Sequence, residues 1–318
     1  MSFNVIGLAN AVIDMSFRPV RFPILPAEHQ FVQQRLITPG GMANTLICGA
    51  RLGLSMQGIG YIGNDELADL WRNYLVAEGV GVAGQIVVAD QPTPVAMCLT
   101  DETGAHLFLG SRGDLRLQNG RFPSQWRDII KAADGLIIYG WNNLSQGPEA
   151  NLEAMKAAEE ANIPIFFDPG PEIPDMPPGW LARMMQSNVV LLTYEEAQMI
   201  VQEPLPPIEM AERIRQMGSE LVILKLGANG MIGHTATETV YEPGIAVEVV
   251  DLTGAGDSVA AMVVLGYFEK YPLPKLLRLA NATGAAAVQK FGAGINVPTW
   301  GEITAVLDTH NGENRQRI

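Results

Sequence analysis

Three observations predict an α/β fold for this chain of 318 residues, with helices on both faces of a mostly parallel central sheet and a small β lid. Short, nearly all-apolar runs recur along the chain, as in parallel strands covered on both sides. Segments with a helical pattern fall between those runs. Two regions break the rhythm with extended pieces that lack helical periodicity.

Each element has its own reason. FNVIGL (3–8), GLIIY (135–139), IPIFFD (163–168), VVLL (189–192) and LVILKL (221–226) are the buried strands. Helices are expected at 42–53, 65–78, 148–161, 179–187, 194–201 and 207–217. Residues 15–39 set Pro19, Pro23, Pro26 and Pro39 around short extended pieces. PTPVAMCLTDETGAHLFLGSR (92–112) reads as two strands joined at DETG, a hairpin. The division that follows is a core of residues 1–14, 40–91 and 113–318, and a lid of residues 15–39 and 92–112.

Composition bounds the partners. The chain carries 34 acidic against 21 basic side chains, net −13. Lys and Arg form no cluster, which argues against nucleic acid or an anionic membrane as the main partner. Cys48 and Cys98 sit in apolar surroundings, as buried thiols of a reducing compartment do, and make neither a disulfide framework nor a zinc site. No signal peptide is evident, and the apolar runs are too short to span a bilayer. A cytoplasmic location is expected. The histidines (His29, His106, His234, His310) are scattered, without metal-ligand spacing.

DLTGAGD (251–257) stands before the apolar run VAAMVVLGYF (259–268). Small residues at 254–256 let the backbone turn with several N–H groups pointing one way, at the positive end of a helix. Such a turn suits an anion, and a phosphoryl group above all. Asp257, in the first helical turn, has two readings. One is a helix cap. The other is a base that takes the proton of an attacking hydroxyl. A cap needs no Gly-Ala-Gly before it, whereas a base beside an anion hole describes phosphoryl transfer to an alcohol.

DLTGAGD resembles the second signature, D-T-x-G-A-G-D, of the ribokinase-like (PfkB) carbohydrate and nucleoside kinases. The resemblance implies a three-layer α/β/α sandwich with a small β lid. It implies Asp257 as catalytic base and the backbone of Gly254, Ala255 and Gly256 as the anion hole. Asp251 and Thr253 would line a site for a monovalent cation, potassium, found in some members. Leu252 and Met262 depart from the family pattern, away from the chemistry.

The likeness runs along nearly the whole chain. GLANAVID (7–14) resembles the first strand and loop, with Asp14 binding sugar hydroxyls, since a carboxylate accepts two hydroxyl hydrogens at once. PGGMAN (39–44) resembles the Gly-Gly segment of the first signature, and implies Gly40, Gly41 and Asn44 as acceptor contacts. Gly53 and Gly63 follow at that signature's spacing. Met42 and Leu46 depart from it, at positions expected to reshape the substrate pocket. FFDPGPEIPD (166–175) resembles a strand ending in Asp/Asn-Pro. LLTYEEA (191–197) resembles the Asn-x-x-Glu motif that orients the magnesium water shell, with Glu196 in place and Thr193 where Asn is usual. KLGANG (225–230) resembles the nucleotide-binding strand and loop, implying Lys225, Gly227 and Gly230; Lys225 either meets phosphate or snorkels from the strand end. LANATGAAAVQKFGAG (279–294) resembles the adenine-side helix, with Asn281 as the polar contact. Arg112 either reaches a phosphate or carboxylate of the acceptor or pairs with Asp114. Arg18 is a further cation available to an acidic acceptor.

The expectation is an ATP-dependent phosphotransferase that uses Mg2+ and acts on an alcohol group of a sugar or sugar-like metabolite. A nucleoside kinase of the same family is the alternative. No G-x-x-x-x-G-K-[ST] loop exists to hold ATP otherwise. GIGYIG (58–63) matches the dinucleotide pattern before a helix, but GLSMQ ahead of it makes a poor buried strand. An NAD-binding oxidoreductase and a non-catalytic relative are therefore the lesser readings. Exposed lid strands suit pairing across a homodimer.

Overall fold

The computed structural model describes residues 2–102, 106–111, 115–117, 120–140 and 147–316. Alternation inside the apolar runs decides the layering. Val189, Leu191 and Ile223 enter one core, Val190, Leu192, Val222 and Leu224 another, so each strand is buried on both faces. Fully burying each such side chain stabilises by roughly 1.5–3 kcal/mol.

The strands are numbered in chain order. The central sheet runs β13 (Thr239–Glu242), β12 (Met231–His234), β11 (Leu221–Lys225), β10 (Val189–Thr193), β9 (Ile165–Asp168), β8 (Gly135–Tyr139), β1 (Asn4–Leu8), β4 (Ser55–Ile62), β5 (Gly81–Val87). Its strands are parallel from β5 to β11, and β12 and β13 add an antiparallel edge. Helices α1 (Met42–Arg51), α2 (Glu66–Ala77), α8 (Ala255–Phe268), α9 (Leu273–Ala287) and α10 (Trp300–Gln316) cover one face. The other face carries α3 (Ser124–Lys131), α4 (Pro148–Glu160), α5 (Pro178–Met184), α6 (Tyr194–Val201) and α7 (Pro207–Arg215). That is the expected three-layer α/β/α sandwich.

The lesser dinucleotide reading finds no support in the fold. The glycine pattern GIGYIG does not follow a strand; most of it is strand, within β4, and Gly58–Ile62 is the buried part. A Cβ on Gly60 would lie 1.9 Å from the Ala9 carbonyl oxygen, so this glycine admits a neighbouring backbone, not a pyrophosphate.

A second sheet has the order β3 (Gln34–Pro39), β2 (Ile13–Arg18), β6 (Val95–Thr100), β7 (His106–Ser111). β6 and β7 are antiparallel, as a hairpin requires, and β2 pairs parallel with β6. The sheet starts at Ile13, so Asp14 belongs to its first strand. It rests on the segment after α9: a Cβ on Gly292 would lie 2.7 Å from Leu36 Cδ2, and one on Gly294 2.5 Å from Thr38 Oγ1.

Candidate active site

Four central strands exchange an apolar run for a polar last residue: Tyr139 on β8, Asp168 on β9, Thr193 on β10 and Lys225 on β11. They gather at the carboxyl edge of the sheet, where open α/β sheets bind ligands. Lys225 Nζ donates to Asp168 Oδ2 at 2.8 Å, with side chains only 14% and 13% exposed. Lys225 therefore does not snorkel. A Cβ on Gly256 would lie 3.5 Å from Lys225 Nζ, which puts the ammonium beside the Gly-Ala-Gly turn.

Gly254 is the N-cap of α8 at φ 76°, ψ 1°. A Cβ there would lie 2.6 Å from Ala293 Cβ, so both backbone and space demand glycine. The Ala255 N–H is spent on the Leu252 carbonyl at 3.3 Å. The N–H groups of Gly256 and Asp257, in the first helical turn, have no intrahelical acceptor.

Asp257 does not cap its helix. Its Oδ2 accepts instead from Asn44 Nδ2 at 2.8 Å. Asn44 stands in the first turn of α1, and its Oδ1 accepts the Gly294 N–H at 2.8 Å. The same amide bonds the Asp14 carboxyl. A Cβ on Gly40 would overlap Asp14 Oδ1 at 2.0 Å, so Gly40 is what lets this carboxyl lie here. Gly41 turns the chain into α1 at φ 56°. On its other side Asp257 meets Tyr139, whose one hydroxyl proton serves either the Asp257 carboxyl or Thr45 Oγ1. Thr45 Oγ1 donates to the Asp257 carbonyl at 3.0 Å.

Burial decides the charge state of these groups. It raises Asp257 to about 6; the Asp168 charge adds to the rise, while bonds from Asn44 and Tyr139 and the Lys225 charge oppose it. Burial and the Asp257 charge push Asp14 up to about 7, against the Asn44 bond. For Lys225 burial acts downward, but the Asp168 and Glu196 carboxylates outweigh it and hold the ammonium above its ordinary value.

Glu196 is not a solvated helix residue. It is 9% exposed. Its Oε2 accepts the Thr193 N–H at 2.7 Å while Thr193 Oγ1 accepts the Glu196 N–H, a reciprocal cap that starts α6. Thr193, where the motif has Asn, thus has a structural use. Asp251 is buried, and its carboxylate accepts from three donors: Thr253 N–H, Thr253 Oγ1 and Gly292 N–H. Among the described residues no cluster of three or more His, Cys, Asp or Glu is arranged to hold a metal ion.

A cavity of about 520 Å³ opens from this turn. Thr193, Lys225, Ala255 and Gly256 border it, with Gly227, Gly230 and Asn281 further along. Gly230 serves the fold first, since a Cβ would strike the Glu242 carbonyl oxygen at 2.0 Å. Leu252, expected away from the chemistry, lines the cavity and is 52% exposed. Met42 and Leu46, expected in the substrate pocket, are buried in the core; Gly7 leaves room for both, and Gly58 for Leu46. Arg18 stacks on Phe291 at 4.8 Å and donates one Nη2 hydrogen to the Val250 carbonyl at 3.2 Å. Arg112 and Asp114 lie outside the described residues.

Sequence reasoning missed Tyr139, Thr45 and any role for Asp168. The signal for Tyr139 and Asp168 was their place at the polar end of a buried strand.

The family model for the pfkB family carbohydrate kinases matches residues 2–300. An ATP-dependent ribose-1-phosphate kinase from Halopiger xanaduensis is 27% identical over 304 residues, covering 96% of this chain and 98% of the relative. A nucleoside kinase from Methanocaldococcus jannaschii is 24% identical, covering 95% and 96%. Among solved structures, Arabidopsis thaliana ribokinase complexed with ribose and ATP superposes with a TM-score of 0.81 at 22% identity, covering 96% of this chain and 99% of that one. A provisionally named Ribokinase II from E. coli, in complex with ATP and Mg2+, gives 0.84 at 22% identity, covering 98% and 100%. The family model spans nearly the whole chain, and the chain belongs to the pfkB family of carbohydrate kinases.

Proposed function

We propose that the protein transfers the γ-phosphoryl group of ATP to a hydroxyl of a sugar or sugar-like molecule, with Asp257 as general base. One observation carries the reading. A half-buried carboxyl at a helix N-terminus is held by Asn44 and does not cap its own helix, so its proton-accepting capacity faces the site beside unpaired N–H groups and Lys225. Asp257 takes the hydroxyl proton as that oxygen attacks phosphorus. The Gly256 and Asp257 N–H groups and the α8 dipole stabilise charge on the transferring group, and Lys225 adds a fixed positive charge. Asp14, Gly40, Gly41 and Asn44 hold the acceptor. Residues 15–39 and 92–112 act as its lid, excluding water from the transfer.

Mg2+ fits the carboxylate set. The Oε1 of buried Glu196 takes no bond from a described donor, and hard oxygen ligands suit this ion. Bound Mg2+ neutralises phosphate charge. Potassium beside Asp251 and Thr253 completes the proposal. Replacing KCl by choline chloride at constant ionic strength is expected to lower turnover, and an unchanged rate removes this ion. We also propose that the small sheet joins two copies of the chain.

ADP release from Mg-ATP across sugars, sugar phosphates, sugar acids and nucleosides tests the function. Acceptor-dependent turnover is expected, and Asp257→Asn is expected to lower it by roughly 10²–10⁴ while ATP still binds. Wild-type turnover in that variant removes Asp257 from the role.

A further inference from the structure

Both ends of α1 grip the same stretch of chain. At its start, Asn44 Oδ1 accepts the Gly294 N–H at 2.8 Å. At its end, Arg51 reaches the residues that follow Gly294. Its Nη1 donates to the Val297 carbonyl at 2.5 Å and its Nη2 to the Ile295 carbonyl at 3.1 Å. The same guanidinium is locked from its other side. Nε and Nη2 donate to the two carboxylate oxygens of Glu78, just past the end of α2, at 2.8 and 2.6 Å. The two side chains are 18% and 22% exposed, a bidentate pair largely shielded from water. The other side-chain bonds to this stretch are weak or local. Cys48 Sγ meets the Pro298 carbonyl at 4.0 Å, and Asn296 bonds back to the Phe291 carbonyl. Arg51 is thus the strong anchor that fixes residues 295–297 against α1 and α2.

That placement decides the polarity of the Asn44 amide. A backbone N–H only donates, so Oδ1 must face Gly294. Nδ2 must then face the carboxyls of Asp14 and Asp257. A Gly294 that drifts away releases the amide. Reversed, the amide sets a carbonyl oxygen against two carboxyls.

We propose that Arg51 is a positioning residue for the transfer: by pinning residues 295–297 it holds Gly294 on Asn44, and so keeps the NH2 of Asn44 turned to Asp14 and Asp257. Arg51 touches none of the reacting groups itself. The proposal rests on the kinase reading in taking Asp257 for the base.

The test follows the Asp257 carboxyl by carbon-13 NMR titration of the whole chain without substrate, with Asp257→Asn assigning the signal. The groups that face Asp257 are Asp14 from β2, Cys48 from α1, Tyr139 from β8, Asp168 from β9 and Lys225 from β11. Arg51→Lys keeps the positive charge and loses the fork. In that variant Asp257 is expected to titrate about one pH unit above the wild type, a tenfold change in proton affinity from a weakened Asn44 bond. Arg51→Ala is expected to show the same rise or a larger one. Arg127→Ala breaks an ion pair to Glu153 on the opposite face of the sheet and controls for general loosening. It is expected to leave the titration at the wild-type value. A wild-type value in Arg51→Lys overturns the proposal, since charge alone then suffices. An equal rise in Arg127→Ala overturns it as well. Where acceptors turn over, the acid limb of the pH–rate profile is expected to move with the titration, and a limb that stays put overturns the link to the transfer. A titration that moves while no acceptor turns over sinks the kinase reading and supports the hold of Arg51 on Asn44.

Discussion

At the scale of single residues, the site is a set of carboxyls kept apart by neutral donors. Asn44 lies between Asp14 and Asp257, and the Tyr139 hydroxyl stands beside Asp257. As the proposed base, a carboxyl with a value raised to about 6 is mostly ionised at neutral pH yet retains some proton affinity. Turnover per unit of substrate is expected to fall about tenfold per pH unit once pH drops below about 6, as the base fills with protons. A pH–rate profile checks this, and an acid limb near pH 4 overturns it. The same shifts have a stability consequence. Asp14 and Asp257 in the folded chain hold protons that the unfolded chain has already released, so stability is lost as pH rises from the ordinary carboxylate range through about 6 to 7. The sequence singled out Asp257 because a Gly-Ala-Gly turn precedes it, which a helix cap alone does not need. Tyr139 and Thr45 were not legible, because their use depends on which strand end and which helix face come together in space.

At the scale of elements, α8 shows why a motif can be read from a string. Gly254 must be glycine for its φ of 76° and for the 2.6 Å approach of Ala293, and the hydrocarbon residues after Asp257 then have to be buried. Gly254→Ala is expected to destabilise the fold by on the order of 1–3 kcal/mol and to abolish nucleotide-induced thermal stabilisation, since the turn must deform to admit a methyl group. Thermal denaturation with and without ATP checks both parts; retention of the ATP shift overturns the second. The five buried strands and the helices between them were readable because each strand is apolar on both faces. Less was readable at β4. Its two glycines weaken strand propensity, and tertiary packing against Ala9, Leu46 and Gln85 overrides that weakness.

At the scale of the whole molecule, the small sheet presents β7 as an edge, with Leu107 44% and Leu109 56% exposed. Apolar edges seek a partner strand. A dimer is expected at micromolar concentration by sedimentation equilibrium, and Leu109→Lys is expected to shift it toward monomer. A wild-type monomer at that concentration removes the dimer. Where the chain places this sheet has a further result. β2 and β6 lie side by side, yet β3, α1, β4, α2 and β5 separate them along the sequence. The pairing cannot close until that intervening stretch has been made, because distant contacts pay their loop-closure entropy first. On a growing chain the small sheet therefore pairs before the segment it rests on exists, and Asp14, made near the beginning, waits for partners synthesised near the end: Asp257 and the Gly294 segment that holds Asn44.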